Sequence, residues 1–468
     1  MPDIGFVFYP KSIAVVGASS NPDSRTNRNF LQPLLDFGYQ GKIYPVNPYR
    51  SEVMGLKAYA GILDIPEPVD YVICAIPAPL TPKLVQDCVT ARVKVVTFFT
   101  AGFSETGEEE GIRLERELVE IARQGRVRII GPNCLGIHSP KMGITFEPRL
   151  RESGHVGFLS QSGGNARELI ITGAERGIHF SKAVSYGNAA DLNEADFLEY
   201  FTHDKDTEII AAYIEGIKQP RRFLRVLGEA TQVKPVIILK GGKTEAGKGA
   251  VASHTGALAG NKETWDALCR QREVIQVHNL EEMADTILAF SYLRPPRGRR
   301  IGIIGIGGGA SVQAADDCES ASLIVPPFPR ELRQELRKFT PPAGTGLRNP
   351  IDTSADVYWD PASFAKTAKL IADYDGVDAL FVMLSALFTV KRGVQTLREQ
   401  IAAIIEVGQG TGKPLAIVLR TVGVIEAEKL AHEVQGQCLK AGFPVYPSVS
   451  QAAQAMNHFI SYHENRGL

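Results

Sequence analysis

Residues 12–22 read Ser-Ile-Ala-Val-Val-Gly-Ala-Ser-Ser-Asn-Pro, an apolar run that ends in a turn of small residues. An apolar run, a turn and an amphipathic stretch make one βα unit. Repetition of that unit is typical of parallel sheets covered by helices. In an open sheet of this kind, ligands bind at the carboxyl ends of the strands, beside such turns. The stretch therefore predicts the start of an α/β domain and a candidate binding site.

The same unit recurs in three consecutive blocks, which predict an α/β protein with three doubly wound domains. In the first block, residues 1–145, the strand-like runs are 12–16, 42–46, 71–76, 93–99 and 127–130, and residues 108–123 have helical spacing. In the second block, residues 146–293, the runs are 155–159, 182–184, 208–213, 235–239 and 274–276. In the third block, residues 299–468, the runs are 301–305, 379–384, 414–419 and 444–446. A segment rich in Pro, Gly and Arg at 294–300 marks the boundary between the last two blocks.

The composition is that of an ordinary globular protein. The 468 residues are 44% hydrophobic and 22% charged, with a formal net charge of −1. Such balanced charge argues against nucleic acid or an anionic membrane as the main partner. No run reaches the roughly 20 apolar residues of a membrane span, and no secretory pattern is visible. The six cysteines lack C-x-x-C spacing and the nine histidines lack metal spacing, so we expect a cytoplasmic protein with free thiols and no bound metal.

The turn that begins at Gly17 predicts a site for a nucleotide-like ligand, because backbone N–H groups at a helix start can hold phosphate. The dinucleotide fingerprint G-x-G-x-x-G is absent, and the second strand ends in Asn47 and Pro48 without the acidic residue that would hold a ribose. These absences argue against an NAD-dependent oxidoreductase. That function and a ligand-free tight turn remain as alternatives to a ligand such as coenzyme A.

Residues 240–260 form a segment rich in Gly and Ala, with His254 near its middle. We predict a loop there, since Gly-rich segments can move and allow close backbone approach. A neutral imidazole is a nucleophile that can carry a phosphoryl group. The segment therefore predicts a catalytic histidine, although a lone histidine in a loop has many structural explanations.

Two further features favour phosphate chemistry. Ser160-Gln161-Ser162-Gly163 follows one strand run and precedes a helix-like stretch, so its N–H groups could hold a phosphate. An ordinary N-cap is the alternative. Glu215 follows another strand run, beside Gly216, where a carboxylate could orient an imidazole. The alternative for Glu215 is a surface carboxylate in a turn.

Five motifs occur in register along the first two blocks. They are Gly131-Pro132-Asn133-Cys134-Leu135-Gly136, Ser160-Gln161-Ser162-Gly163, Ser185-Tyr186-Gly187-Asn188-Ala189-Ala190-Asp191, Tyr213-Ile214-Glu215-Gly216 and Ser253-His254-Thr255-Gly256-Ala257-Leu258-Ala259-Gly260. With them the chain resembles the α subunit of an ADP-forming (NDP-forming) acyl-CoA synthetase, of the acetate–CoA ligase kind, in the succinyl-CoA synthetase superfamily. Asn349-Pro350-Ile351-Asp352 extends the resemblance to the third block.

The resemblance implies the character of each block. Residues 1–145 would form a Rossmann-like CoA-binding domain, and residues 146–293 a succinyl-CoA synthetase-like flavodoxin domain with a phosphohistidine loop. Residues 299–468 would form a second flavodoxin-like ligase domain. The implied reaction converts acyl-CoA, phosphate and ADP reversibly into a small carboxylic acid, CoA and ATP. It passes through an acyl phosphate and phosphorylated His254.

The resemblance also implies roles for single residues. Glu215 would steady the phosphohistidine, and Asn133 and Cys134 would lie near the thioester. Phosphate would be bound by Ser160, Gln161, Ser162 and Gly163. Coenzyme A would face the loop from Gly17 to Thr26, Asn47 and the segment Phe99–Gly102. It would be bound by Gly17, Ala18, Ser19, Ser20, Thr26, Asn47, Thr100 and Gly102. A separate ATP-grasp β subunit would bring ADP or ATP and Mg²⁺, which makes a hetero-oligomer.

Three departures from the family pattern predict an unusual acid substrate or weakened activity. Thr26 stands where the family often has Gly, and Gly164-Asn165 follows Gly163 where Ala is common. The turn at residues 305–309 reads Gly-Ile-Gly-Gly-Gly, without the usual polar side chains. A CoA-binding regulatory or scaffold protein with weakened turnover is therefore the main alternative function.

Overall fold

The computed structural model describes residues 4–145, 152–255, 261–341, 346–353, 355–390 and 394–467, and for residues 250 and 252–255 it describes the backbone only. The chain forms two compact units, Met1–Leu280 and Glu281–Leu468. None of the helices in these described ranges is long and apolar enough to span a bilayer.

The first part of the first unit is a parallel sheet covered by helices. Its strands are β1 (Ser12–Val16), β2 (Lys42–Val46), β3 (Glu52–Val53), β4 (Leu56–Lys57), β5 (Tyr71–Cys74), β6 (Val95–Phe98) and β7 (Arg128–Ile130). Its helices are α1 (Gln32–Phe37), α2 (Thr81–Thr90) and α3 (Glu109–Gln124), and a π-helical segment (Asn27–Leu31) precedes α1. Five strands pair in the order β2-β1-β5-β6-β7, and β3 and β4 form a separate antiparallel pair. Because the chain turns to opposite sides of β1, the ends of β1 and β5 form a topological switch point.

The second part of the first unit is a six-stranded sheet. Its strands are β8 (Gly136–His138), β9 (Val156–Ser160), β10 (Phe180–Ser185), β11 (Ile209–Ile214), β12 (Val236–Lys240) and β13 (Ile275–Val277). Its helices are α4 (Gly163–Glu175), α5 (Glu194–His203), α6 (Pro220–Val233), α7 (Glu245–Thr255) and α8 (Lys262–Gln271). The strand order is β13-β12-β11-β9-β10-β8, and only β8 runs antiparallel among them. The switch point lies at β9, which is followed directly by residues 160–163.

The second unit is a third sheet with helices. Its strands are β14 (Ile301–Gly305), β15 (Ile351–Asp352), β16 (Ala379–Ser385), β17 (Leu415–Arg420) and β18 (Val445–Tyr446). Its helices are α9 (Leu280–Tyr292), α10 (Gly308–Ser320), α11 (Arg330–Arg337), α12 (Ala355–Tyr358), α13 (Pro361–Asp373), α14 (Ala386–Val390), α15 (Val394–Gly410), α16 (Ile425–Lys440) and α17 (Val449–Asn465). The five strands are parallel, in the order β15-β14-β16-β17-β18.

The predicted fold class is confirmed: three α/β sheets follow one another along the chain. The apolar runs became strands because both faces of a parallel sheet are covered; β1 is buried along its whole length. The helix predicted at 108–123 forms as α3, with Leu114, Leu118 and Ala122 buried along one stripe. The boundaries at 145 and 293–299 remain predictions.

One local prediction was wrong. The loop predicted over residues 240–260 contains a helix, α7, which includes His254. Ala246, Ala250 and Ala252 lie in this helix, and Ala is the strongest helix former. The rest of the predicted loop at its C-terminal side, residues 256–260, lies outside the described residues.

Candidate active site

A cleft in the first unit lies where the carboxyl ends of its two sheets face each other. Its volume is about 650 Å³. The residues that line it are Arg25, Asn29, Ala75, Ile76, Pro77, Phe99, Thr100, Ala101, Asn133, Cys134, Leu135, Gln161, Ser162, Gly163, Gly164 and Arg167. They come from the loop and π-helical segment after β1, from the ends of β5, β6, β7 and β9, and from the first turns of α4. Strand ends of this kind are where open α/β sheets bind ligands.

The loop after β1 is held by two asparagines. Gly17 has a φ of +93°, and a Cβ there would lie 2.8 Å from the carbonyl oxygen of Ala75, so only glycine fits this close approach. Asn27 accepts from the backbone N–H of Ser19 (3.1 Å) and donates to its carbonyl oxygen (2.7 Å). Asn47, predicted to face CoA, donates instead to Ala18 O at 2.7 Å. Both asparagines therefore shape the loop.

The other residues predicted to bind CoA are distributed along the same edge of the first sheet. Ala18 and Thr26 are buried, whereas Ser20 is exposed. Thr100 lines the cleft and donates to Ile76 O at 2.7 Å, which ties the end of β6 to that of β5. Within the segments predicted to face CoA, the cleft is lined by Arg25, Phe99, Thr100 and Ala101. Their role in binding CoA stays a prediction.

A buried asparagine joins the second sheet to the first. Asn188, in the turn after β10, donates to Glu105 at 2.6 Å and to Glu115 at 2.9 Å. Glu105 in turn accepts from the N–H of Gly102 at 2.6 Å, where φ is +104°. Gly102, predicted to contact CoA, is thus positioned by the Glu105 carboxylate, which the sequence analysis did not single out, and by the amide of Asn188, which lies in one of the five motifs.

Asn133 and Cys134, predicted to lie near the thioester, both line the cleft. The Asn133 N–H donates to Thr100 O at 3.0 Å. The thiol of Cys134 donates to Phe98 O and Ile130 O at 3.6 and 3.5 Å. Burial raises the pKa of this thiol to about 12, so Cys134 is protonated at neutral pH and is not a nucleophile.

The start of α4 forms the anion-binding end of the cleft. Ser162 is the N-cap, and its hydroxyl accepts from Asn165 N at 3.2 Å. Ser162 and Gly163 line the cleft, so free N–H groups of the first turn and the helix dipole face it. Ser160 is fully buried and donates to Ser162 O at 2.7 Å. It therefore stabilises the turn and does not line the cleft, although it was predicted to bind phosphate.

Gln161 and Glu215 are joined directly. The side-chain oxygen of Gln161 accepts from the backbone N–H groups of Glu215 and Gly216, the latter at 2.8 Å. The Glu215 carboxylate is 6% exposed and accepts from the hydroxyl of Tyr213 at 3.0 Å. Lys240 donates to Glu215 O at 2.7 Å, and burial lowers the pKa of that lysine to about 8. The contacts with Gln161 and Lys240 thus hold Glu215 next to the segment that precedes α4, shielded from bulk water.

The segment that leads to His254 starts beside Glu215. The N–H of Gly241 donates to Ile214 O at 2.9 Å, and a Cβ at Gly241 would lie 3.2 Å from Cγ of Glu215. Helix α7, which follows this turn, contacts the short 3₁₀ turn Ser104–Thr106 after β6. The side chain of His254 lies outside the described residues, so its pairing with Glu215 stays a prediction.

The sequence analysis gave no role to two polar residues of the cleft, Asn29 and Arg167, and it included Arg25 only as part of the loop expected to face CoA. One signal was present in the sequence. Arg167 lies four residues after Gly163, on the same face of the helix whose start was singled out. Arg25 precedes the π-helical segment and Asn29 lies in it. Hydrophobic periodicity in the sequence does not reveal where side chains of such a segment point.

In the third sheet, the Gly-rich turn at residues 305–309 binds the carboxylate of Asp352. Asp352 accepts from Gly307 N at 2.6 Å, at the start of α10. A carboxylate at this position already uses the helix dipole and disfavours a second anion. Among the described residues, no group of three or more His, Cys, Asp or Glu side chains could hold a metal ion.

Two families match the chain. The CoA binding domain family matches residues 11–140, and the succinyl-CoA ligase like flavodoxin domain family matches residues 153–290. Subunit alpha of acetate–CoA ligase (ADP-forming) II from Pyrococcus furiosus is 36% identical over 468 residues, covering 99% of this chain and 99% of that protein. Acetate–CoA ligase (ADP-forming) I from Archaeoglobus fulgidus is 37% identical over 381 residues, covering 81% of this chain and 54% of that protein. The chain thus spans about half the length of the Archaeoglobus protein.

A solved structure also aligns with the whole chain. It is the dinucleotide-forming acetyl-coenzyme A synthetase 1 of Candidatus Korarchaeum cryptofilum, in complex with phosphate and ADP. The TM-score is 0.84 at 32% sequence identity, and the alignment covers 100% of this chain and 98% of that chain. The family resemblance stated from the five motifs is therefore confirmed.

Proposed function

Since the chain belongs to the family of ADP-forming acetate–CoA ligase α subunits, we propose that it is the CoA-binding, phosphohistidine-carrying subunit of an ADP-forming acyl-CoA synthetase. The reaction is acyl-CoA, phosphate and ADP to carboxylic acid, CoA and ATP, in either direction. The observation that carries the proposal is the link from Gln161 to Glu215. It joins the anion-binding helix start to the carboxylate beside the histidine segment.

In the first step, an oxygen of phosphate attacks the thioester carbonyl carbon of acyl-CoA. The C–S bond breaks, CoA leaves as the thiolate and takes up a proton, and an acyl phosphate remains. The N–H groups at Gly163 and Gly164 bind the phosphate oxygens, aided by the dipole of α4, while the N–H of Ser162 donates to the Ser160 hydroxyl at 3.2 Å. Asn133 and Thr100 line the part of the cleft where the thioester end would lie.

In the second step, a ring nitrogen of His254 attacks the phosphorus of the acyl phosphate. The bond between phosphorus and the carboxyl oxygen breaks, and the carboxylate leaves. Glu215 accepts the N–H of the other ring nitrogen, which fixes the tautomer and stabilises the positive charge on the ring. The contacts of Glu215 with Gln161 and Tyr213 keep its carboxylate in place.

In the third step, the phosphoryl group passes from His254 to ADP. We assign ADP and Mg²⁺ to a partner subunit of ATP-grasp type. A relative of nearly the same length is named a subunit alpha, which supports such a partner. When bound there, Mg²⁺ would neutralise the charge of the transferring phosphates.

A reconstitution experiment tests the proposed function. The chain, its partner subunit and Mg²⁺ are mixed with acyl-CoA, phosphate and ADP, and both free CoA and ATP are measured. We expect the two products in equal amounts, dependent on both subunits, and no turnover in His254→Ala. CoA binding without ATP formation would favour the regulatory or scaffold alternative. Oxidation of NADH by the chain would favour the oxidoreductase.

A further inference from the structure

Two arginines that the proposed reaction does not use lie in the wall of the cleft. Arg25 follows the loop at the end of β1, and Arg167 lies in α4. No Asp or Glu is among the described residues that line this cleft. The wall formed by the arginines is therefore positively charged and faces a space large enough for a small molecule.

Both guanidinium groups are held in place by neighbours that also line the cleft. Nη1 of Arg167 donates to Oδ1 of Asn29 at 3.2 Å. The guanidinium carbon of Arg25 lies 5.3 Å from the ring centroid of Phe99. The Phe99 ring packs edge-on against Phe30, with centroids 5.1 Å apart. Arg25 is exposed and Arg167 is half-buried, and each guanidinium contacts one side chain of the cleft wall, which leaves donors of both groups available to an anion.

The anionic phosphate already has donors at the start of α4. The carboxyl group that forms the thioester is neutral in acyl-CoA, so it offers no charge to the arginines. A substrate with a single carboxyl group would offer the arginines no charge of its own, and only the phosphates of CoA or inorganic phosphate could then pair with them. Arg25 and Arg167 would complement a second negatively charged group on the acid.

The shape of the cleft agrees with a polar acyl chain. Leu135 separates the cleft from a second cavity of about 20 Å³, which is lined mainly by apolar residues, including Ile13, Leu34 and Ile73. That space is about what one water molecule needs, so it is too small for an alkyl chain. An acyl group is therefore left with the open cleft, whose lining includes Arg25 and Arg167.

We infer that the acid substrate is a short dicarboxylate. One carboxyl group forms the thioester and the acyl phosphate, and the other is bound by Arg25 and Arg167. This inference rests on the proposed function. The phosphates of CoA are the other anions that could reach the arginines, so the test must separate the two.

The test uses the complex with the partner subunit and acids of matched length in the direction of acyl-CoA synthesis. Glutarate is compared with pentanoate, and succinate with butyrate. We expect kcat/KM for the dicarboxylates to be higher by about 10- to 100-fold, since charge-assisted hydrogen bonds are lost with the monoacids. Arg25→Gln and Arg167→Gln each lower kcat/KM for glutarate by about tenfold or more, with unchanged KM for CoA and phosphate. Arg225→Gln, on exposed Arg225 of α6, is the matched control.

Two results overturn the inference: a preference for monoacids, or variants that raise KM for CoA or phosphate instead of that for glutarate. Arg167→Lys guards against misfolding, because it keeps the charge and should retain part of the dicarboxylate preference. A second readout needs no turnover. Glutarate, and not pentanoate, should raise the thermal midpoint of the isolated chain, and Arg167→Gln should abolish the shift. A complex inactive on every acid contradicts the proposed function; equal shifts by both acids contradict the dicarboxylate site.

Discussion

Gln161 holds Glu215 in place through the backbone: its side-chain oxygen accepts the N–H of Glu215, and that of Gly216 at 2.8 Å. Gln161 follows β9 and Glu215 follows β11, which are neighbouring strands of one sheet. The contact therefore fixes the distance between the anion-binding helix start and the carboxylate proposed to orient His254. Both residues are buried, with exposures of 3% and 6%.

Replacing Gln161 by Leu should weaken both the fold and the reaction. Two buried N–H groups lose their acceptor, at a cost of about 1–3 kcal/mol each. In a Trp359→Phe background, the fluorescence of Trp265 reports urea unfolding of the first unit. Gln124→Leu, in which an exposed glutamine loses its contact with Glu120, should change stability by less than about 0.5 kcal/mol. Equal effects of the two substitutions would show that the Gln161 contact is not structural.

Gly187→Ala should destabilise the first unit by about 2 kcal/mol or more. A Cβ at Gly187 would lie 2.2 Å from Pro132 O and 2.5 Å from Asn133 O, and φ is +48°. Gly436→Ala is the control, because Gly436 lies within α16 with open space around it. That change should stabilise the second unit by about 0.5–1 kcal/mol, as followed by Trp359 in a Trp265→Phe background. A neutral Gly187→Ala would contradict the close contact between the two turns.

Lys182→Met should cost about 3–5 kcal/mol in free energy of unfolding. Nζ of Lys182 donates to Asp204 at 2.8 Å and to Asp206 at 3.1 Å, and the lysine side chain is 1% exposed. Removal of the ammonium group leaves the carboxylates of Asp204 and Asp206 without the buried cation that pairs with them. Lys83→Met, which removes the exposed Lys83–Asp87 pair, should cost less than about 1 kcal/mol. Urea unfolding of both variants checks the difference, and similar losses would refute it.

His138 should make the first unit less stable in acid. Burial lowers the pKa of His138 to about 3, whereas an unfolded histidine titrates near pH 6.5. Between these values the unfolded chain binds a proton that the folded chain does not, so the free energy of unfolding falls as the pH falls. The contribution approaches about 1.4 kcal/mol per pH unit.

Unfolding of His138→Gln and of the exposed control His432→Gln between pH 4 and 7 measures this contribution. The stability of His138→Gln should depend less steeply on pH than that of the unchanged chain, by up to one proton. His432→Gln should match the unchanged chain. If all three slopes coincide, His138 is not the source of the acid sensitivity.

Most strands of the three sheets could be predicted because a buried parallel strand appears in the sequence as a short, continuous apolar run. Runs such as Ser12–Val16 are apolar at every position since both faces are covered. Strand β8 was missed because its three residues acquire strand geometry only by pairing with β10, where Gly136 lies opposite Ser185, 49 residues later in the chain. Helix α7 was missed because its glycines suggested a loop, whereas its alanines favour a helix.

Site residues were predicted where the local sequence shows a strand end followed by a turn. They were missed where the site forms by the packing of elements that are distant in the sequence. Ser162, Gly163 and Asn133 line the cleft as expected. The orientation of the Ser160 hydroxyl into its own turn depends on backbone geometry that motif matching does not resolve. Arg25 and Arg167 reach one cleft only because the loop after β1 and helix α4 are brought together by the packing of two sheets.

Phosphorylation of one histidine is the most direct test. The chain, its partner subunit and Mg²⁺ are incubated with ATP labelled in the γ-phosphate, and the peptides are mapped by mass spectrometry at basic pH. One phosphoryl group per chain should lie on His254, stable in base, labile in acid and discharged by CoA and the acid substrate. It should be absent from His254→Ala and retained in His432→Ala. Label that persists in His254→Ala, or that is stable in acid, would contradict a phosphohistidine shuttle at His254.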